Sequence, residues 1–265
     1  MCITISTTSS DCSERGVKAV PQSELFLREI SVDWDEIPRD SYLRAIPALS
    51  ALRHLPFHCP VTFFVGENGS GKSTLLEGMA EALGFNPEGG SRNYRFSTYD
   101  AGSELSGALR PVRGSRREKW GYFLRAESFY NVATAEEEYA KLSSRGSEYY
   151  HRRSHGESFL HLIQTNFSGA GLYLLDEPEA ALSPQRQLTL LAEIDRCVRA
   201  GSQFFIASHS PVLLGFPDAE LLCFDGGGIH PIAYEETDSF RITELFIRNR
   251  AQILRRLLCA DDGED

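Results

Sequence analysis

Residues 61–76 constrain this chain more than any other stretch: V-T-F-F-V, then G-E-N-G-S-G-K-S-T, then L-L. A short apolar, β-prone run enters a loop of three glycines. The loop ends in Lys-Ser-Thr and opens into an apolar-periodic stretch, residues 75–83. That order predicts strand, phosphate loop, helix. Gly66, Gly69 and Gly71 lack Cβ atoms, so the backbone can close around phosphate oxygens and turn its N–H groups inward. Glu67, Asn68 and Ser70 stand between them in the loop. The helix after Gly71 adds the positive end of its dipole. Lys72 is placed to reach β- and γ-phosphates, Ser73 offers a hydroxyl to Mg²⁺, and Thr74 is a supporting hydroxyl.

A chain of 265 residues can bury one large core or two small ones. Its formal net charge of −10 supplies no overall basic field for nucleic acid, so DNA contact would need a local patch. Residues 109–119 are such a patch, with Arg110, Arg113, Arg116, Arg117 and Lys119. They read as a solvated strand or hairpin, or as a partner or nucleic-acid contact. The cysteines (Cys2, Cys12, Cys59, Cys197, Cys223 and Cys259) are scattered without a C-x-x-C pair. This argues against a zinc site or disulfide framework and predicts a reduced, cytoplasmic protein. No apolar run approaches the ~20 residues of a membrane helix, and the N-terminus lacks the apolar block of a signal peptide, so no direct membrane insertion is expected.

Residues 1–23 are polar and weakly periodic and are expected to be flexible. Residues 25–34 read as a first strand, and residues 42–55 as holding a short helix between prolines. Trp34 and Tyr42 are candidates to stack on a base, or plain core and surface residues. Residues 91–106 are polar, with Arg92, Arg95 and Tyr99 expected on the surface. Residues 120–129 read as a central strand carrying Glu127; 133–142 as helical; 143–153 as loop. Ser154, His155, Gly156 and Glu157 precede an amphipathic helix at 158–166.

G-L-Y-L-L at 171–175 runs into Asp176-Glu177-Pro178, the pattern of a buried parallel strand with a metal-linked carboxylate at its C-terminal end. Asp176 can hold Mg²⁺ through water and Glu177 can polarise an attacking water. Ser183 and Pro184 are good start chemistry for a helix at 185–200, with Leu188, Leu190, Leu191 and Ile194 facing inward. Q-F-F-I-A at 203–207 is another buried strand, and His209 after it can sense a γ-phosphate. Residues 219–224 and 228–233 read as edge strands, residues 239–258 as a long helix, and 259–265 as an acidic tail. Alternating strands and helices predict an α/β fold, a mostly parallel sheet flanked by helices. Residues 24–258 form its single domain, with a small β/helical subregion inserted at 84–166.

These residues together resemble the ATP-binding cassette ATPases, closest to the small stand-alone AAA family ATPases related to SMC, RecF and Rad50 heads. The resemblance covers residues 25–258. Residues 66–74 match Walker A, residues 172–177 match Walker B with its catalytic glutamate, residues 181–184 lie where the D-loop should be, and His209 matches the switch histidine. The signature loop, usually L-S-G-G-Q, is best matched by R-S-H-G-E ending at Glu157, and Glu127 stands for the lid glutamine.

The resemblance implies Mg²⁺-dependent ATP hydrolysis in an ATP-dependent head-to-tail homodimer. Ser154, His155, Gly156 and Glu157 of one subunit would complete the other's site. It implies a switch in DNA maintenance or defence, acting through a separate protein effector. The alternatives are the nucleotide-binding subunit of a membrane transporter, and a slow ATP-dependent protein-interaction module.

Overall fold

The computed structural model describes residues 24–91, 103–127 and 155–258. The expectations for 1–23, 133–153 and 259–265 lie outside the described residues, as do Arg92, Arg95, Tyr99 and Ser154. The first half contains β1 (Leu27–Val32), α1 (Pro47–Ser50), β2 (His54–Pro56), β3 (Val61–Val65), α2 (Lys72–Ala82), β4 (Gly90–Ser91), α3 (Glu104–Ala108), β5 (Leu109–Arg113) and β6 (Trp120–Arg125). The second half contains α4 (His155–Asn166), β7 (Gly171–Asp176), α5 (Pro184–Arg199), β8 (Gln203–Ala207), α6 (Pro211–Leu214), β9 (Glu220–Asp225), β10 (Gly228–Pro231) and α7 (Asp238–Leu258).

Seven strands form one sheet in the order β10-β9-β3-β8-β7-β6-β4. Strands β9, β3, β8, β7 and β6 run parallel, and β10 and β4 close the two edges antiparallel. Strand β3 is buried along its whole length because both faces of the sheet are covered. Alternate side chains divide between two cores. Phe64, Leu174 and Phe205 pack with Leu75, Leu76 and Met79 of α2 and with the small sheet, while Phe63, Tyr173 and Phe204 pack under Phe159 of α4 and Leu190 and Ile194 of α5.

The small sheet, β2-β1-β5, is antiparallel. One buried side chain ties it to the large one. Gln203 Oε1 accepts from Phe26 N at 3.0 Å and Leu27 N at 2.9 Å, and its Nε2 donates to Leu27 O at 2.8 Å. Gln203→Leu keeps the volume but strands two amides and a carbonyl. It is expected to cost about 2–3 kcal/mol in urea unfolding.

Several expectations change in detail. Strand β9 is interior, parallel to β3, because the antiparallel β10 takes the edge. Leu188 on α5 is 57% exposed, while Leu190 and Ile194 are buried. Ser183 occupies the N-cap of α5 without a side-chain capping bond. Helix α4 starts at His155, so Gly156 and Glu157 lie in its first turn and not ahead of it. The described parts of 84–166 are built into both sheets, β5 against β1 and β6 against β7. Helix α7 buries none of its residues and breaks helical geometry at Asn249. Among the described residues no helix is long and apolar enough to cross a membrane.

Candidate active site

Strand β8 lies between β3 and β7, all three parallel, so their C-terminal ends open on one edge of the sheet. The loop after β3 and the acidic pair after β7 are two strand spacings apart, about 10 Å, a gap that facing side chains can bridge. Ser73, in the first turn of α2, closes it: its Oγ donates to Asp176 Oδ1 at 2.8 Å. Backbone bonds pin the edge, Glu177 N to Ala207 O at 2.9 Å and Ser208 N to Phe64 O at 3.2 Å.

Two of the loop's glycines are also closed in by their neighbours. Gly66 has φ +140°, and a Cβ there would collide with the carbonyl of Phe224. Gly71 has φ +101°, and a Cβ would come within 2.9 Å of Ile46 Cγ2. Lys72 is only 4% exposed and folds over the loop, its Nζ donating to Gly66 O and Glu67 O at 2.8 Å each. Burial pushes this ammonium below the ordinary lysine value, against the pull of Glu177 and Asp176. Residues 66–70 also line a cleft of about 550 Å³.

Ser70 Oγ and His209 Nε2 are among the buried side-chain polar atoms that have no hydrogen-bond partner among the described residues. Such orphans, beside a glycine cradle that Cβ atoms would fill, fit a phosphate-bearing ligand. The Ser73–Asp176 pair is an oxygen-only donor set, which suits Mg²⁺.

Burial raises the Asp176 carboxyl above its usual range, opposed first by the Ser73 hydrogen bond and then by Arg125. Arg125 is a neighbour that the sequence reading missed. It faces Asp176 in the β6–β7 register, with Nε 3.5 Å from Asp176 Oδ2 and Nη1 3.1 Å from Glu77 Oε2. Glu127 stands two residues beyond, 88% exposed, its carboxylate 3.9 Å from Arg125 Nη2.

Glu177 sits in the left-handed region, φ 48° and ψ 50°, a conformation that costs a non-glycine residue about 1–3 kcal/mol. Its carboxylate is 3.8 Å from His209 Nε2. Burial first, and then the charge of Lys72, lower the His209 pKa, which favours the neutral ring at pH 7.

A second missed residue is Glu179. Its Oε1 accepts from Ser208 Oγ at 2.9 Å, His209 N at 2.5 Å and Ser210 N at 3.1 Å. Ser210 Oγ in turn donates to Gln187 Oε1 at 2.5 Å, and Gln187 Nε2 donates to Leu182 O at 3.1 Å. A single half-buried carboxylate therefore fixes the turn that carries His209. The visible signal was a second acid in D-E-P-E, but its target lies about thirty residues downstream and only the fold brings it close.

The signature-like residues lie elsewhere in the subunit. Gly156 packs against Ala181 O, where a Cβ would come to 2.9 Å, and Glu157 Oε1 pairs with Arg186 Nη2 at 3.0 Å. Ser154 is outside the described residues, as is the side chain of His155. Of the two stacking candidates, Trp34 is engaged: its Nε1 donates to Leu52 O at 2.7 Å, and Arg44 and Arg53 lie over its ring. Tyr42 is 61% exposed. In the basic stretch, Arg113 pairs with Glu118 at 2.6 Å, Arg110 with Glu36 at 3.9 Å and Arg116 with Glu24 at 4.0 Å, which weakens its outward field.

Residues 45–159 match a family model described as "AAA domain", and residues 150–215 match one described as "AAA domain, putative AbiEii toxin, Type IV TA system". No curated protein matches the chain. Among solved structures it is similar to the SMC head domain from Thermotoga maritima, at 16% identity over 79% of this chain and 100% of that one, TM-score 0.43. It is also similar to cbiO1 from Clostridium perfringens, part of the ABC transporter complex cbiONQ, at 13% identity over 86% and 97%, TM-score 0.44.

Proposed function

We propose that the chain is an ATPase of the AAA and ABC type, as its matches to two AAA domain models support, and that it hydrolyses ATP and uses the cycle to drive a dimerisation or conformational switch. The observation that carries this reading is the Ser73–Asp176 contact at 2.8 Å, made where Lys72, Glu177 and His209 also converge.

The amides of residues 66–74 and the Lys72 ammonium would stabilise charge on the transferring phosphoryl group. For that, Lys72 exchanges its two loop carbonyls for phosphate oxygens. Ser73 directly, and Asp176 through water, would hold Mg²⁺, which when bound neutralises charge on the phosphate oxygens. Glu177 orients the attacking water and accepts its proton as the water oxygen bonds to phosphorus and the bond to ADP breaks. His209 contacts the γ-phosphate and registers its departure. In the head-to-tail dimer that the family resemblance implies, the first turn of α4 faces the partner's γ-phosphate, with Gly156 and Glu157 anchored from behind by Ala181 and Arg186.

The test is steady-state ATPase activity in Mg²⁺ and in EDTA, with and without duplex DNA, followed by light scattering. Mg²⁺-dependent turnover is expected, with dimers that form on ATP. Stimulation by DNA would favour a role in DNA maintenance or defence, whereas indifference to DNA would direct the search to a protein effector. Monomers throughout would overturn the dimerisation switch, and absence of turnover the hydrolysis. Lys72→Ala removes one charge-assisted contact and is expected to weaken ATP binding about 10- to 100-fold, read by equilibrium binding.

A further inference from the structure

Beside the phosphate loop, the β9–β10 hairpin gathers three metal-ligating side chains. Cys223 and Asp225 alternate onto one face of β9. His230 stands opposite Cys223 in the antiparallel register. One ligand atom from each, a thiol sulfur, a carboxylate oxygen and an imidazole nitrogen, lies within 4.8 Å of both others. In a tetrahedral site with bonds of about 2.0–2.3 Å, ligand atoms stand about 3.3–3.7 Å apart.

The imidazole is already oriented for the task. Its Nδ1 donates to Pro231 O at 3.2 Å, which leaves Nε2 as the ligating nitrogen, and Nε2 is 2.9 Å from Asp225 Oδ2. Metal-bound histidines are held in the same way, through the other ring N–H to a carbonyl. With Nδ1 donating to Pro231 O and Nε2 to Asp225, the ring is an imidazolium, and a cation can take the place of its Nε2 proton.

We propose that Cys223 Sγ, Asp225 and His230 Nε2 bind one borderline-soft divalent ion of the zinc class, with its fourth position open to the cleft that Gly66, Glu67 and Asp238 also line. The mixed S, N, O donor set selects such an ion over Mg²⁺, which prefers oxygen alone. Residue spacing hid the site, because the ligands come from two strands of a hairpin and not from a C-x-x-C knuckle. The site also touches the nucleotide cradle. Phe224, between two of the ligands, carries the carbonyl that excludes a side chain at position 66. An ion here would stiffen that wall of the loop. The inference stands independently of ATP hydrolysis.

The test titrates Co²⁺ into the reduced, nucleotide-free full-length protein after chelator treatment and desalting. One equivalent should bind with thiolate-to-cobalt charge-transfer absorption, and one equivalent of Zn²⁺ should abolish it. Cys223→Ser should remove the band, and Cys59→Ser should leave it intact. Asp225→Asn and His230→Gln, at half-exposed positions that leave the core untouched, should each weaken binding at least tenfold. Co²⁺ held at Ser73 and Asp176 would give no thiolate band, so the two sites are distinguishable. Absence of the band, its survival in Cys223→Ser, or affinity indifferent to both exposed variants would overturn the proposal.

Discussion

Glu177→Gln is expected to lower ATP turnover by about 10²- to 10⁴-fold, the range for loss of a general base, while ATP still binds. The side chain is 44% exposed, so the amide costs no core packing, and its backbone N–H keeps its bond to Ala207 O at 2.9 Å. Residue 177 is left-handed, φ 48° and ψ 50°, and glutamine tolerates that conformation as glutamate does. Binding and chemistry should therefore separate. Equilibrium ATP affinity should stay within about threefold, and rapid-quench measurement should show nucleotide that is bound but uncleaved. The trapped state is the one in which light scattering should find the dimer. A loss of turnover smaller than tenfold would remove Glu177 from the role of base. Glu127, at the same edge of the sheet but 3.9 Å from Arg125, would be the next carboxylate to test.

What the sequence made legible was local. G-E-N-G-S-G-K-S-T carries its own conformation, because three glycines and a helix start leave few alternatives. V-T-F-F-V announced a short apolar strand, and G-L-Y-L-L and Q-F-F-I-A announced buried ones; they became β3, β7 and β8. What stayed hidden depends on register between distant segments. Strand β2 is three residues long and exists only through its pairing with β1, Ile30 opposite Leu55. Arg125 reaches Asp176 because β6 pairs with β7 one residue for one residue, which no spacing rule contains. Leu188 falls on the helical face expected to be buried, yet α5 turns it to solvent, since the sheet covers only the side bearing Leu190 and Ile194. The order of strands mattered most. Adjacency of β8 to both β3 and β7 turns three motifs far apart in sequence into one site.

Glu179→Ala is expected to lower turnover about a hundredfold and to destabilise the fold by about 3–5 kcal/mol, although this side chain lies behind the reacting groups. Its Oε1 holds the Ser208 hydroxyl and the amides of His209 and Ser210, so alanine strands the Ser208 hydroxyl and the His209 amide, leaves Ser210 N with Ser208 Oγ alone, and frees the turn that carries the His209 ring. Burial raises the Glu179 carboxyl above its usual range, while the hydrogen bonds it receives pull it back. Glu179→Gln distinguishes positioning from charge. All three bonds converge on one oxygen, and Oε2 is buried without a partner among the described residues. The amide keeps an acceptor at Oε1 and places its nitrogen at the unpartnered position. If Glu179 acts by holding the turn, glutamine should restore most of the turnover that alanine loses, with KM for ATP close to wild type and the deficit of the alanine variant in kcat. If the charge itself matters, through Lys72 across the site, glutamine should behave like alanine, and ATP affinity should fall with turnover. Urea unfolding of both variants separates either outcome from a general loss of folding.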